Sequence, residues 1–323
     1  MELARGFQLS AILTAAAELD VFTLLADASK TAEQLADALT TDLRATRILL
    51  DALAAAELLV KDGQVYSPVP GTAEVLTAGA PQNMLATVRH LGVCTRNWSQ
   101  LAMVVKTGQR AHRQAGVRGV AGELASFIEA MNDVSRSAAP QLIEAIGPPA
   151  FRRLLDIGAG PATWTIEFLR QSGPDTRAIV YDLPDVLPIA RRHVDAAGLA
   201  ARVDFVGGSF ETDRDLPGGA DLVWVSAIIH MNSRDQNRDL FSKVHDALAP
   251  GGRILIRDVI MDENRTAPPG GALFAVNMLV NTPGGGTYTF DEIADDLVAA
   301  GFGPAEWVHQ HEFMSSVVGA TKP

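Results

Sequence analysis

Up to about residue 147 the apolar positions recur at helical spacing, and after Leu154 short apolar runs alternate with helical stretches. Leu9, Ile12, Leu13, Ala16 and Ala17 share one helical face, and an apolar cluster, Val21–Leu25, follows. Thr31 with Gln34 forms the pattern of a capping box, each side chain satisfying a free backbone N–H near the other, and predicts a helix over Ala32–Leu39. Leu43, Leu50 and Leu53 predict a second helix reaching Leu58. Val60–Ser67 then alternates about Asp62-Gly63, a two-residue hairpin signal. Helix, turn, helix and hairpin together describe a winged helix. From Pro81 to Gly147 the chain reads as helices, with Met84, Val88, Leu91, Trp98, Leu101 and Val105 at helical spacing and a loop near 108–122. Phe127, Met131, Ser135 and Leu142 lie along a helix leading to Leu154.

Beyond Leu154 the pattern predicts strands at Arg177–Asp182, Val203–Val206, Leu222–Ile229 and Arg253–Asp258, after a first strand ending at Asp156. Helices fall between them at Trp164–Arg170, Val186–Ala197 and Ser233–Leu248, the last opened by a Ser233–Gln236 capping box. A Thr289–Glu292 capping box opens another helix that Gly301 ends, and Ala305–His309 with Phe313–Gly319 supply a closing strand pair. This alternation predicts an α/β, doubly wound, Rossmann-like sheet preceded by an all-helical, winged-helix domain. Such sheets bind ligands outside the carboxyl ends of their strands, where the strand order reverses. Asp156, Asp182, Ser209 and His230 all fall at or just beyond such ends.

The stretch Leu154–Ala162 carries the most chemistry. Gly158 and Gly160 permit a sharp turn and close approach of main chain to a ligand, and Pro161 is expected in the first helical turn. A dinucleotide fingerprint requires a third glycine where this chain has Thr163. Asp156, just ahead of the loop, suits a ligand with a positive amine and no phosphate, such as S-adenosylmethionine. Asp182 suits ribose hydroxyls in either cofactor, so it does not discriminate between them.

Composition narrows the partners. The chain has 323 residues, 47% hydrophobic and 20% charged, enough for more than one core, and a net charge of −11. That charge argues against nucleic acid. Between Thr31 and Glu57 only Arg44 and Arg47 are basic, against Glu33, Asp37, Asp42, Asp51 and Glu57, so the winged helix is expected to make dimer contacts rather than bind DNA. Arg110, His112, Arg113 and Arg118 read as a solvated basic loop, and His90 as a core histidine. Cys94 is the single cysteine and has no partner for a disulfide or a cysteine metal site, so no metal is expected. No apolar run approaches the ~20 residues of a membrane span, and residues 1–5 do not begin a secretion signal. A cytoplasmic location follows as an expectation.

With these residues in place the chain resembles the plant and bacterial small-molecule O-methyltransferases that carry a winged-helix dimerisation domain. The likeness runs through Asp156-Ile-Gly158-Ala-Gly160, Tyr181-Asp182-Leu183-Pro184, Gly207-Gly208-Ser209-Phe210, Ile228-Ile229-His230, Pro250-Gly251-Gly252-Arg253 and Thr289 to Gly301-Phe302. It implies a homodimer through residues 1–100, connecting helices over 101–147 that cover the acceptor, and an S-adenosylmethionine domain over 148–323. The implied cofactor contacts are Asp156, Gly158, Gly160, Asp182, Leu183, Ser209, Phe210, Ser226, Met131 and Ser135. His230 stands at the catalytic-base position with Asp258 beside it. Met131 is also placed against the acceptor. Asn277, Met278 and Asn281 read as a helix face suited to an oxygen-bearing aromatic acceptor. Three positions depart from the family: Met231-Asn232 follow the histidine, Ser209 replaces an acid near the adenine, and Thr287 replaces a second acid flanking the histidine. The rival readings are a non-methylating relative using the same site (decarboxylase, hydroxylase or cyclase), a ligand-responsive DNA-binding regulator and an NAD-linked oxidoreductase.

Overall fold

The computed structural model describes residues 2–147 and 150–323. The chain forms two compact units, Met1–Ser99 with Arg113–Asp133, and Gln100–His112 with Val134–Pro323. The domain boundary expected between 147 and 148 abuts Pro148 and Pro149, which lie outside the described residues.

In the first unit, helices Phe7–Glu18, Val21–Ala26, Ala32–Leu39 and Leu43–Ala55 precede an antiparallel hairpin of Leu59–Asp62 and Val65–Pro68. The Thr31 capping box forms with both of its hydrogen bonds. The helix expected to reach Leu58 stops at Ala55, because Leu59 already pairs with Pro68 in the hairpin. Phe22, Leu25, Leu35, Leu50, Leu53 and Tyr66 make the buried core. On the helix after the turn, Arg47 is tied to Glu33, so one of its two cations is engaged inside the fold. The stretch expected to be loop turns helical at Gly119, and Arg113 and Arg96 both meet the buried Glu123 carboxylate. The expected single helix through Met131 and Leu142 is two, Gly119–Ser135 and Ala138–Ala145.

The second unit is built on a seven-stranded sheet of β1 (Arg153–Ile157), β2 (Arg177–Asp182), β3 (Val203–Gly207), β4 (Ala220–Ser226), β5 (Leu248–Asp258), β6 (Glu306–His309) and β7 (Ser316–Thr321). Their order is β6-β7-β5-β4-β1-β2-β3; β7 runs antiparallel to β5, β6 antiparallel to β7, and the other pairs are parallel. The order reverses between β1 and β4, so the switch point lies where Gly158 leaves one strand and Ser226 ends the other. This is the doubly wound, Rossmann-like sheet. Strand alternation divides the core into two layers, one containing Leu155, Ile157, Val225 and Ile256, the other Leu154, Trp224 and Leu255.

Several expected boundaries move, among them the start of β5, at Leu248 rather than Arg253. Residues 313–315 form a short 3₁₀ turn, and the final strand begins at Ser316. The helix after the glycine loop begins at Thr163, not at Pro161, because Ala162 caps it in the left-handed region at φ 61°. The fourth strand ends at Ser226 rather than Ile229: Ala227 takes φ 57°, and Ile229–Met231 coil into a 3₁₀ turn.

Trp224 is fully buried, with its ring 5.3 Å from that of Trp164 and 5.1 Å from that of Phe168. It supports the first turn of the helix that leaves the glycine loop. Trp224→Ala is expected to cost about 3–5 kcal/mol, read as a lowered urea midpoint; an unchanged midpoint would show that these contacts carry no stability.

Candidate active site

The glycine loop is held from both sides. Gly158 donates its N–H to the Tyr181 carbonyl at 2.8 Å, and Gly160 donates to Asp182 Oδ2 at 2.7 Å. Both glycines have left-handed φ, 63° and 54°. At Gly158 there is no room for a side chain, since a Cβ would lie 2.4 Å from Ile228 Cδ1. Around Gly160 the space is open. The loop thus packs tightly on one side and leaves main chain accessible on the other. The second oxygen of Asp182 accepts from the Leu183 N–H at 2.7 Å, which fixes the carboxylate at the end of β2. Burial raises its pKa.

Asp156 lies beneath the loop and is 1% exposed. Its Oδ2 accepts the Thr165 hydroxyl proton at 2.6 Å. Burial, with repulsion from Asp182 as a smaller contribution, pushes its pKa up to about 7.

At the end of β3, Gly208 donates to the Asp182 carbonyl at 3.0 Å, joining this turn to that of β2. Ser209 donates its N–H to Asp213 Oδ2 at 3.2 Å, and Asp213 also accepts from the Tyr181 hydroxyl at 2.8 Å. The missing acid at Ser209 is thus accompanied by a carboxylate four residues on, at Asp213. Phe210 lines a cavity of about 290 Å³ with Glu211, Asn232, Asp235, Gln236 and Asp239. Its carbonyl accepts from Lys243 Nζ at 2.9 Å.

His230 is 6% exposed, on the turn that follows β4. Its Nδ1 lies 2.7 Å from Asp258 Oδ1, and its backbone N–H lies 3.4 Å from the other carboxylate oxygen. Asp258 is fully buried and also accepts from the Val259 N–H at 2.7 Å. The turn is braced by Asn237, which donates to the Ile229 carbonyl at 3.0 Å, and by the Tyr288 hydroxyl, which donates to the Asn232 carbonyl. With Nδ1 donating to a carboxylate, the lone pair of the neutral ring resides on Nε2. The arrangement can therefore take a proton at Nε2 and stabilise the resulting cation.

Phe274 packs edge-on against the His230 ring at 4.8 Å, and Phe313 meets Phe274 at 6.0 Å. Phe274 belongs to helix Pro269–Asn281, and Asn277, Met278 and Asn281 follow it at spacings of three, four and seven. That stripe therefore includes the side chain touching the histidine. Asn281 donates to the Asn277 carbonyl at 2.8 Å, and Met278 is buried. Ala111 donates to the Val280 carbonyl at 3.0 Å, which ties residues 100–112 to the same helix. Thr287 is buried, and its carbonyl accepts from Arg265. Ser226 accepts from Arg257 Nη1 at 3.1 Å. Ser135 is buried in the second unit, whereas Met131 is half-buried in the first.

Sequence reasoning passed over Phe274, Asp213 and Arg257. Phe274 carries no polar signal. Asp213 is one of several acids in a loop, but Arg257 interrupts the run Ile254-Leu-Ile before Asp258, and a charge there marks a strand end.

The doubly wound sheet, with Gly160 bound to Asp182 beside its switch point, defines a class of nucleotide-cofactor-binding protein. Family comparison makes this specific: residues 98–303 match the O-methyltransferase domain and residues 1–79 the O-methyltransferase dimerisation domain. The chain belongs to the O-methyltransferase family and is an S-adenosylmethionine-dependent enzyme. It is 33% identical over 307 residues to the 3-hydroxy-5-methyl-1-naphthoate 3-O-methyltransferase of Streptomyces sahachiroi, covering 93% of this chain and 88% of that one. It is 30% identical to the tetracenomycin polyketide synthesis 8-O-methyl transferase of Streptomyces glaucescens, covering 94% and 90%. Human N-acetylserotonin methyltransferase, solved in complex with S-adenosylmethionine, superposes with a TM-score of 0.78 at 25% identity, covering 99% of this chain and 96% of that one.

The residues present fit this cofactor. Open main chain at Gly160 and a fixed carboxylate at Asp182 suit a nucleoside, and buried Asp156 suits an ammonium group. The high pKa of Asp156 also has a consequence for stability. The unfolded chain loses this proton near 3.8 and the folded chain near 7. The contribution is therefore present below about pH 4 and lost as pH rises to about 7. Asp156→Asn is expected to remove that loss, so that without ligand the variant melts above wild type at pH 8 and closer to it at pH 4. Parallel melting-temperature profiles for the two proteins would refute the assignment.

Proposed function

We propose that this enzyme methylates a hydroxyl group of a small aromatic or polyketide-like molecule, with His230 as general base. The observation that carries the reading is the 2.7 Å contact between His230 Nδ1 and buried Asp258, which leaves Nε2 as the basic nitrogen. The two Streptomyces relatives, named for methylation of a naphthoate and of a polyketide product, support the acceptor class.

When bound, S-adenosylmethionine supplies an electrophilic methyl group on its sulfonium. The residues assigned to hold it are Asp156, Gly158, Gly160, Asp182, Leu183, Ser209, Phe210, Ser226 and Ser135. Asp182 takes the ribose hydroxyls, Phe210 and the Ser209 backbone take the adenine, and Asp156 takes the ammonium. Asn277, Met278 and Asn281 are assigned to the acceptor, with Phe274 between this stripe and the base. His230 removes the hydroxyl proton at Nε2, and Asp258 holds the ring in that tautomer and offsets the imidazolium charge. Positioning of acceptor against cofactor supplies the larger share of the barrier reduction, up to ~7–11 kcal/mol. Proton removal adds about 10²–10⁴-fold. The N-terminal unit makes the homodimer, for which the exposed apolar Leu3, Phe7 and Leu9 supply surface. Residues 101–147 are assigned to the acceptor side. Among the described residues no helix is long and apolar enough to cross a membrane, and the half-buried thiol of Cys94 suits a reducing cytoplasm.

Thr287, where the family has an acid, favours a second reading in which a relative of this fold uses the site without methylation. Incubation with aromatic hydroxyl compounds separates the two, since methylation yields S-adenosylhomocysteine and a product about 14 daltons heavier, the mass of one CH₂. His230→Ala is expected to lower kcat by about 10²–10⁴-fold with little change in S-adenosylhomocysteine affinity. A wild-type rate in that variant would remove the base role. Asp182→Ala is expected to abolish cofactor binding, measured by calorimetry, and unchanged affinity would refute the ribose contact.

A further inference from the structure

Arg257 is a buried cation, 7% exposed, on the strand that also supplies Asp258. Strand alternation sends the two side chains to opposite faces of the sheet. Asp258 serves His230, while Arg257 lies over the Trp164 ring at 4.5 Å, on the face occupied by Trp224 and Asp156. Its Nη1 donates to Ser226 Oγ at 3.1 Å, and its buried Nε has no hydrogen-bond partner. Among the described residues no carboxylate pairs with it, and Asp258, its chain neighbour, is engaged elsewhere.

Strand register places this cation. Ile157 pairs with Val225, and Ser226 pairs with Arg257. Gly158, one residue beyond Ile157, therefore stands level with Ser226 and Arg257, in the row that opens onto the crevice at the switch point. Asp156 lies one row below on the same face, level with Trp224 and Leu255.

A buried guanidinium whose partners are a hydroxyl and a ring face is undercompensated for the water it has lost. Burial lowers its pKa to about 10, which leaves it charged at neutral pH. A planar fork of donors at such a place selects a carboxylate. We propose that Arg257 binds the carboxylate of the methionine portion of S-adenosylmethionine. Asp156 and Arg257, an acid and a base on adjacent rows of one face, match the ammonium and carboxylate of that amino-acid end. An acceptor carboxylate is the other source of the same chemistry. The geometry favours the cofactor, because the His230–Asp258 pair belongs to the opposite face of β5. The proposal rests on the cofactor assignment above.

The test is calorimetric binding of S-adenosylhomocysteine and of its decarboxylated analogue to wild-type, Arg257→Met and Arg257→Lys proteins. Wild type is expected to prefer the carboxylated ligand, and Arg257→Met to bind it about 10- to 100-fold more weakly while holding the decarboxylated analogue as wild type does. Arg257→Lys, which keeps the charge without the fork, is expected to retain part of the preference and decides the matter if the methionine variant does not fold. Equal weakening of both ligands, or an unchanged preference in both variants, would overturn the proposal. So would unchanged cofactor affinity combined with a raised KM for a carboxylated acceptor. Wild-type protein that binds neither ligand would overturn the cofactor assignment itself, and this proposal with it.

Discussion

The parallel register of β1, β4 and β5 is the constraint on which the rest of the site depends. Asp156, Trp224 and Leu255 are level, so the three strands end within two residues of one another, β1 at Ile157, β4 one residue further at Ser226 and β5 two further at Asp258. Gly158 can turn there only because it lacks a side chain: Ile228, from the segment after β4, fills the space a Cβ would need. The loop that approaches the nucleoside and the turn that carries the histidine are thus packed against each other. The glycine loop and the turn that carries His230 meet through an apolar contact rather than a polar network.

The two faces of the sheet divide the chemistry. On one, Arg257 lies over the Trp164 ring and Asp156 stands level with Trp224, which packs on Trp164 and Phe168. On the other, Asp258 fixes His230 next to Phe274. Strand β5 supplies both, by the alternation of two consecutive residues. Such a division suits methyl transfer between two bound molecules, since each can be oriented from its own side and water excluded between them.

Much of the fold was legible in the sequence because its elements are locally determined. Three capping boxes, at Thr31, Ser233 and Thr289, form as their spacing predicts, and the strand Arg177–Asp182 has the expected ends. The misjudged boundaries are those set by distant partners. The fourth strand looks continuous to Ile229 because every residue but Ser226 is apolar. It is cut short where Asn237 donates to the Ile229 carbonyl and Asp258 accepts from the His230 N–H, which no local pattern reveals. Pro161 is a good first helical residue, yet the loop keeps turning through Ala162, whose N–H reaches back to the Ala159 carbonyl at 2.9 Å. Among site residues, acids and histidines at strand ends announced themselves. Phe274 did not, since an aromatic on an apolar helix is indistinguishable from core until its neighbour is known.

The same reasoning explains why Ser209 need not weaken the nucleoside side of the site. An acid directly after Gly208 is one way to place negative charge beside the third strand. Here Asp213 does so from the following turn, pinned by the Ser209 N–H and the Tyr181 hydroxyl. Tyr181 is the neighbour of Asp182 and itself lies on β2, so the two carboxylates are positioned by adjacent residues of one strand. The close approach of Asp213 and Tyr181 is also what excludes a side chain at Gly208, where a Cβ would lie 2.2 Å from the carboxylate and 2.6 Å from the phenol oxygen. Gly208 is thus required by the packing of Asp213 and Tyr181, and the carboxylate beside the third strand comes from the turn that follows it.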